Sequence, residues 1–245
     1  MTDRILEIGK AGLESADQKV RKLMDNMVNS AVPGYKKSDV SVRAFPLELE
    51  AASQRISAMK PQVEGSFHSN IQGALIKTGG KLDLALGSDG YFEISGPWGD
   101  GYTRDGRFRL DKDGRLLTVA GNYPVIGRHG PIIVTPGSEI EFTETGEIKI
   151  DESVVDHIKV VNPENRDTLE SLNGSVFKKS GDFTVMIEVE NPRLIQGYIE
   201  ASNVNIIDSM MEMIYLERIY NMNTKIIQSR DATLARSMEL GRPTQ

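Results

Sequence analysis

The chain has 245 residues, 39% of them hydrophobic and 26% charged, so it can bury a core and is not disordered throughout. Its formal net charge of −6 sits in the middle, because residues 1–37 carry +2 and residues 200–245 carry −1; an acidic chain without a basic patch does not suit nucleic acid as a partner. Its cysteine count of 0 excludes disulfides, thiolate catalysis and cysteine metal sites, and no run of about 18 apolar residues is present for membrane insertion.

Met1-Thr2-Asp3-Arg4 leads into a polar amphipathic stretch, so no cleaved signal peptide is expected. Leu6, Gly9, Leu13, Ala16, Val20, Leu23 and Met27 then step alternately by 3 and 4 residues. That spacing predicts a helix with a narrow coiled-coil seam, flanked by Asp17, Lys19, Arg21 and Lys22. Val32-Pro33-Gly34 is expected to stop it, since a proline disfavours helical backbone in the residue before it. Residues 38–80 read as an extended connector, with room for a short helix between Leu47 and Met59.

From Leu82 the pattern changes to short strands with turn dipeptides. Asp89-Gly90, Asp100-Gly101, Asp105-Gly106 and Asp113-Gly114 suggest tight hairpins. Strands are predicted at Tyr91 to Ile94, Arg107 to Leu110, Leu116 to Val119, Ile132 to Thr135, Glu139 to Phe142, Ile148 to Ile150, Ile158 to Val161 and Phe183 to Val189. They follow one another without helices between them, which predicts an all-β, mostly antiparallel unit.

A helical period returns from about Ile206 to Met238, with Asn205 as N-cap, Asp208 in the first turn, and Gly241 and Pro243 at the far end. Its apolar residues fall on two stripes. Ile207, Met211, Ile214, Tyr215, Ile219, Met222 and Ile226 form the first; Met213, Leu216, Tyr220, Ile227 and Leu234 form the second. If the first stripe pairs with the N-terminal seam, the second is left for neighbouring subunits. The predicted fold class is therefore α+β, with long N- and C-terminal helices forming a coiled-coil hairpin around a central all-β domain. The corresponding segments are an assembly helix at 1–37, the connector at 38–80, the β-rich domain at 81–199 and a second assembly helix at 200–245. The expected assembly residues are Leu13, Val20, Leu23, Met27, Tyr35, Met213, Leu216, Tyr220, Ile227 and Leu234, with Tyr35 exposed on a turn.

No chemistry is expected. His68, His129 and His157 stand far apart in the chain without metal-ligand spacing. Asp111-Lys112-Asp113-Gly114 echoes a calcium loop but would put Arg109 and Ala120 at ligand positions, so a hairpin turn is the better reading. No cofactor or metal site is predicted. A secreted β-rich binding or adhesion module with helical oligomerisation arms, or a hydrolase using a pair of carboxylates in a cleft, are the other function classes considered.

Several motifs resemble the flagellar axial proteins, the rod and hook subunits of the bacterial flagellum. They are Asn26, Asn29 and Pro33-Gly34-Tyr35-Lys36; Leu82-Asp83, Asp89-Gly90-Tyr91-Phe92 and Tyr102-Thr103-Arg104-Asp105-Gly106; and Gly197-Tyr198-Ile199-Glu200-Ala201-Ser202-Asn203-Val204-Asn205. Glu217-Arg218-Ile219-Tyr220 and Lys225-Ile226-Ile227-Gln228 follow at the family's spacing. Arg43-Ala44-Phe45-Pro46-Leu47-Glu48 and Pro124-Val125-Ile126-Gly127, followed by Gly130-Pro131-Ile132, are most similar to a proximal rod subunit, with a distal rod subunit the near alternative. The resemblance implies paired terminal helices in an inner tube, a β domain outside, and a non-enzymatic role in the hollow axle that carries motor torque to hook and filament. The implied partners are other copies of the chain, neighbouring rod proteins and the flagellar type III export apparatus, which would carry the chain to the basal body across the periplasm.

Overall fold

Arg4–Val28 forms helix α1 and Ile206–Leu240 helix α2, and between them the computed structural model is almost entirely antiparallel β-structure. It describes residues 4–51, 54–135, 137–151, 153–165, 168–181 and 184–240. The chain divides into two units: one holds the two helices and residues 38–68, the other residues 29–37 and 69–204.

In the first unit, α1 ends at Val28, earlier than the proline stop predicts. The Asn205 side chain caps α2 by accepting from the Ile207 N–H at 3.0 Å, as predicted. Gly241 and Pro243 lie outside the described residues. The described residues of the connector at 38–68 are extended, as expected, but hold no helix. They form a long ribbon of strands β1 (Ser38–Ala51) and β2 (Gln54–His68), registered from Ser38 opposite His68 to Ala51 opposite Gln54. At about 3.3 Å per residue each strand runs roughly 45 Å. The side chain of Asn26 anchors its base: buried on α1, it accepts from Ser38 N–H at 2.8 Å and donates to Ser38 O at 2.7 Å.

The coiled-coil hairpin expected of the terminal helices is not what forms. α1 packs on α2, but also on both strands of the ribbon. Where the helices meet, α1 offers small residues: Gly9 lies against Ile227 and Gly12 against Asn223, with Ala16 buried further along. A coiled coil needs large knobs from both partners set into holes of the other. Glycine and alanine instead permit close backbone approach, and α1 divides its contacts between helix and ribbon.

The second unit is built on a six-stranded sheet, in the spatial order Leu169–Asn173, Val176–Lys179, Gly99–Thr103, Tyr91–Gly96, Val160–Pro163, Met186–Glu188, antiparallel throughout. The strand period of 2 sends neighbouring residues to opposite faces. Phe92, Ile94, Val160 and Val176 enter the main core with Leu84, Leu116, Val125 and Ile148, while Tyr91, Tyr102, Val161 and Phe177 build a second cluster on the other face. Edge-to-face pairs fix both: Phe92 with Phe108 at 5.2 Å and Tyr91 with Phe177 at 5.5 Å.

The Asp-Gly dipeptides serve different ends. Asp113-Gly114 turns the chain between Phe108–Leu110 and Leu116–Thr118, with Gly114 at φ 78°. The Asp111 carboxylate holds that turn by accepting from the amides of Asp113 (2.9 Å) and Arg115 (2.7 Å), which accounts for the calcium-like spacing. Asp100-Gly101 lies inside a strand whose hairpin closes at Pro97-Trp98. Gly106 is needed for space: a Cβ there would meet the Leu84 carbonyl.

Candidate assembly site

α2 carries apolar residues on two sides, and one of them is covered. Ser209, Leu216 and, partly, Met213, Asn223 and Ile227 face inward, with Ile227 on Gly9 and Asn223 on Gly12 of α1. The opposite side is open: Met211 is 58% exposed, Ile214 53% and Tyr215 63%, and Ile207, Met210, Met222 and Ile226 share that face. Of the stripe reserved for neighbours, Met213, Leu216 and Ile227 turn to the covered side while Tyr220 stays largely exposed; of the stripe assigned to α1, every residue but the half-buried Ile219 is exposed. Small seam residues on α1 admit this side of α2, with Gly9 under Ile227 and Gly12 under Asn223.

The expected assembly residues distribute accordingly. Leu23 and Leu216 are buried, and Leu13, Val20, Met27, Met213 and Ile227 are half-buried. Tyr220 stays largely exposed and, with Asp17, Val20, Met213 and Glu217, lines a groove of about 300 Å³ between the helices. The Leu234 side chain lies outside the described residues. Tyr35, expected on an exposed turn, is buried in the second unit.

Burial of Tyr35 belongs to an arrangement that sequence reasoning missed. Lys36 is 1% exposed, Glu200 1% and Arg104 4%, and the three are in contact. Glu200 Oε1 accepts from Lys36 Nζ at 2.6 Å and from the Gly73 amide at 3.0 Å; Oε2 accepts from Arg104 at 3.2 Å. Lys36 also donates to Ile71 O at 3.0 Å, and Arg104 to Ser88 O at 2.8 Å while lying over the Tyr91 ring. Burial pulls the Lys36 ammonium below its ordinary range, against the opposing pull of Glu200. Around this cluster the two passages of chain run side by side. Gly34 N–H donates to Glu200 O at 2.8 Å, and Asn203 accepts from Lys37 N–H at 2.6 Å and donates to Ile71 O at 2.8 Å. Gly34 has φ 70° and sits where a Cβ would strike the Arg104 backbone, so no other residue fits. Each partner comes from a different motif: Pro-Gly-Tyr-Lys, Tyr-Thr-Arg-Asp-Gly and Gly-Tyr-Ile-Glu-Ala-Ser-Asn. The signal available in the sequence was a charged residue in each: Lys36, Arg104 and Glu200.

Other polar groups are arranged less tightly. An open cleft of about 860 Å³ carries Lys77, Lys81, Lys149, Glu139, Glu141 and Asp151 on its walls. Its Glu139 is held below the ordinary carboxylate range by the Lys81 hydrogen bond, the wrong direction for a general acid at neutral pH. His129 and His157, distant by sequence spacing rules, are neighbours in space. The His129 ring meets Asp156 at 2.8 Å, and Arg128 N–H donates to His157 O at 3.0 Å.

Comparison with known proteins accounts for the same segments. Residues 85–162 match the family model described as the flagellar hook protein FlgE/F/G D1 domain, and residues 195–240 that of the flagellar basal body rod FlgEFG protein C-terminal region. The flagellar basal-body rod protein FlgF of Escherichia coli (strain K12) is 30% identical over 231 residues, covering 88% of this chain and 89% of that protein. FlgF of Caulobacter vibrioides is 27% identical over 237 residues, 96% of each chain. FlgG of Buchnera aphidicola subsp. Schizaphis graminum is 27% identical over 271 residues, 96% of this chain and 98% of the relative. Covering the same share of this chain takes 237 positions against that FlgF and 271 against that FlgG, so the FlgG relative carries segments without counterpart here. From the similarity along nearly its whole length, the chain belongs to the flagellar basal-body rod proteins.

Proposed function

We propose that the chain is a structural subunit of the flagellar rod, of the proximal FlgF type, that polymerises through the uncovered face of α2. The observation that carries this reading is a helix with one apolar side on α1 and an equally apolar side open to solvent. Seven large side chains, each about half exposed, make up the open side. At about 1.5–3 kcal/mol for burying such a side chain fully, covering the exposed half of seven contributes on the order of 5–10 kcal/mol. The partners are further copies of the chain and neighbouring rod proteins, and the chain reaches the basal body by the flagellar type III export apparatus. FlgF is favoured over FlgG by length, since the FlgG relative needs the additional segments; its alignment across nearly the whole chain keeps the distal rod as the second reading.

Ile214→Asp and Met211→Asp test the face. Both variants should keep the helicity of the wild-type monomer by circular dichroism yet fail to restore motility. Motile cells carrying either variant at normal expression would overturn the reading. Complementation of strains lacking FlgF or FlgG separates the two rod positions.

A further inference from the structure

We propose that the Lys36–Glu200–Arg104 cluster is a closure checkpoint: the segment preceding the β unit cannot dock until the segment following it delivers Glu200. The inference goes beyond a rod role and does not depend on it. As the chain is made, residues 29–37 and Arg104 exist long before residue 200. Their docked arrangement places an ammonium and a guanidinium in one almost water-free site. Two buried like charges without a carboxylate are unfavourable by several kcal/mol per uncompensated ion.

Asp89 lines a small cavity with Lys36 and Arg104, but Glu200 is the carboxylate that meets both cations, at 2.6 Å and 3.2 Å. Glu200 supplies three things together: the two ion pairs, the acceptor for the Gly73 amide, and the backbone carbonyl for the Gly34 amide. Asn203, three positions on, then closes on Lys37. Both passages lock in one step, and the earlier one stays free to move until then.

Amide hydrogen exchange on the full-length chain tests this. The amides of Gly34 and Lys37 report on the docked segment, and those of Leu116 and Val125 on the β core. In Glu200→Gln the first pair should exchange at least about 100-fold faster, as expected on removing one member of a buried ion pair, while the core pair changes by less than about 3-fold. In Lys36→Met/Glu200→Gln the ammonium is gone as well, and docking should return to within about 10-fold of wild type. Three results would each overturn the proposal: full protection in Glu200→Gln, equal loss of protection in the double variant, or loss of the core amides together with Gly34 and Lys37.

Discussion

The two units bury their apolar surface in different ways. In the β unit, Phe92, Leu116, Val125 and Ile148 close on one another from several strands, and the core is complete within the chain. In the helical unit, α1 covers one side of α2 and the ribbon packs on α1, which leaves Met211, Ile214 and Tyr215 bare. A sheet folded over itself can enclose both faces. Two helices and a two-stranded ribbon have too little volume for their surface, and a ribbon alone is marginal in water. The β unit thus closes its core within the chain, whereas the helical unit keeps an apolar face of α2 open.

The largest effects should come from the β core. Gly106→Ala drives a Cβ into the Leu84 carbonyl, a clash with backbone that no rotamer relieves; the loss should exceed about 3 kcal/mol in a denaturant titration. Next is Leu216→Ala in the helical unit. It should cost about 2–4 kcal/mol of helix-pair stability by circular dichroism, whereas Ile214→Ala changes the monomer by less than about 0.5 kcal/mol. Equal losses in both would erase the distinction between the two faces of α2. Asn26→Ala removes both hydrogen bonds holding β1 to α1. A cost of about 1–3 kcal/mol is expected, with faster exchange of the Ser38 amide and none at Leu116.

A smaller effect is confined to alkaline pH. Burial pushes the Tyr102 hydroxyl well above its ordinary value of 10.0. Above pH 10 the unfolded chain gives up this proton while the folded one keeps it, so stability falls as pH rises by up to about 1.4 kcal/mol per unit. Tyr102→Phe should show a shallower fall than wild type between pH 10 and 11.5 in parallel melts. Smallest of all, His129→Ala breaks only an exposed contact with Asp156 and should leave stability within about 0.5 kcal/mol and motility unchanged.

How much of this was legible depended on whether the information was local. α1 announces itself because its apolar residues occupy one side. α2 was legible as a helix, but its period cannot say which stripe meets α1 when both are apolar; the small residues Gly9, Gly12 and Ala16 held that answer. The ribbon was missed because nothing in residues 38–68 marks it as sharply as a turn dipeptide, and its pairing is set by register over 14 residues per strand. Strands of 3 residues such as Leu75–Lys77 and Leu84–Leu86 are too short to show alternation. The clasp was present as three motifs, yet Lys36 and Glu200 are 164 positions apart, and no spacing rule spans that distance.

Because Gly34 donates to Glu200 and Asn203 to Tyr35, the polypeptide leaves the β unit within a hydrogen bond of the place where it came in. A module whose two ends lie together can be exchanged, enlarged or trimmed without moving the helices it interrupts. An exposed turn of the β unit, such as the one at Arg128-His129, is therefore a place where a tag or a foreign domain can be inserted.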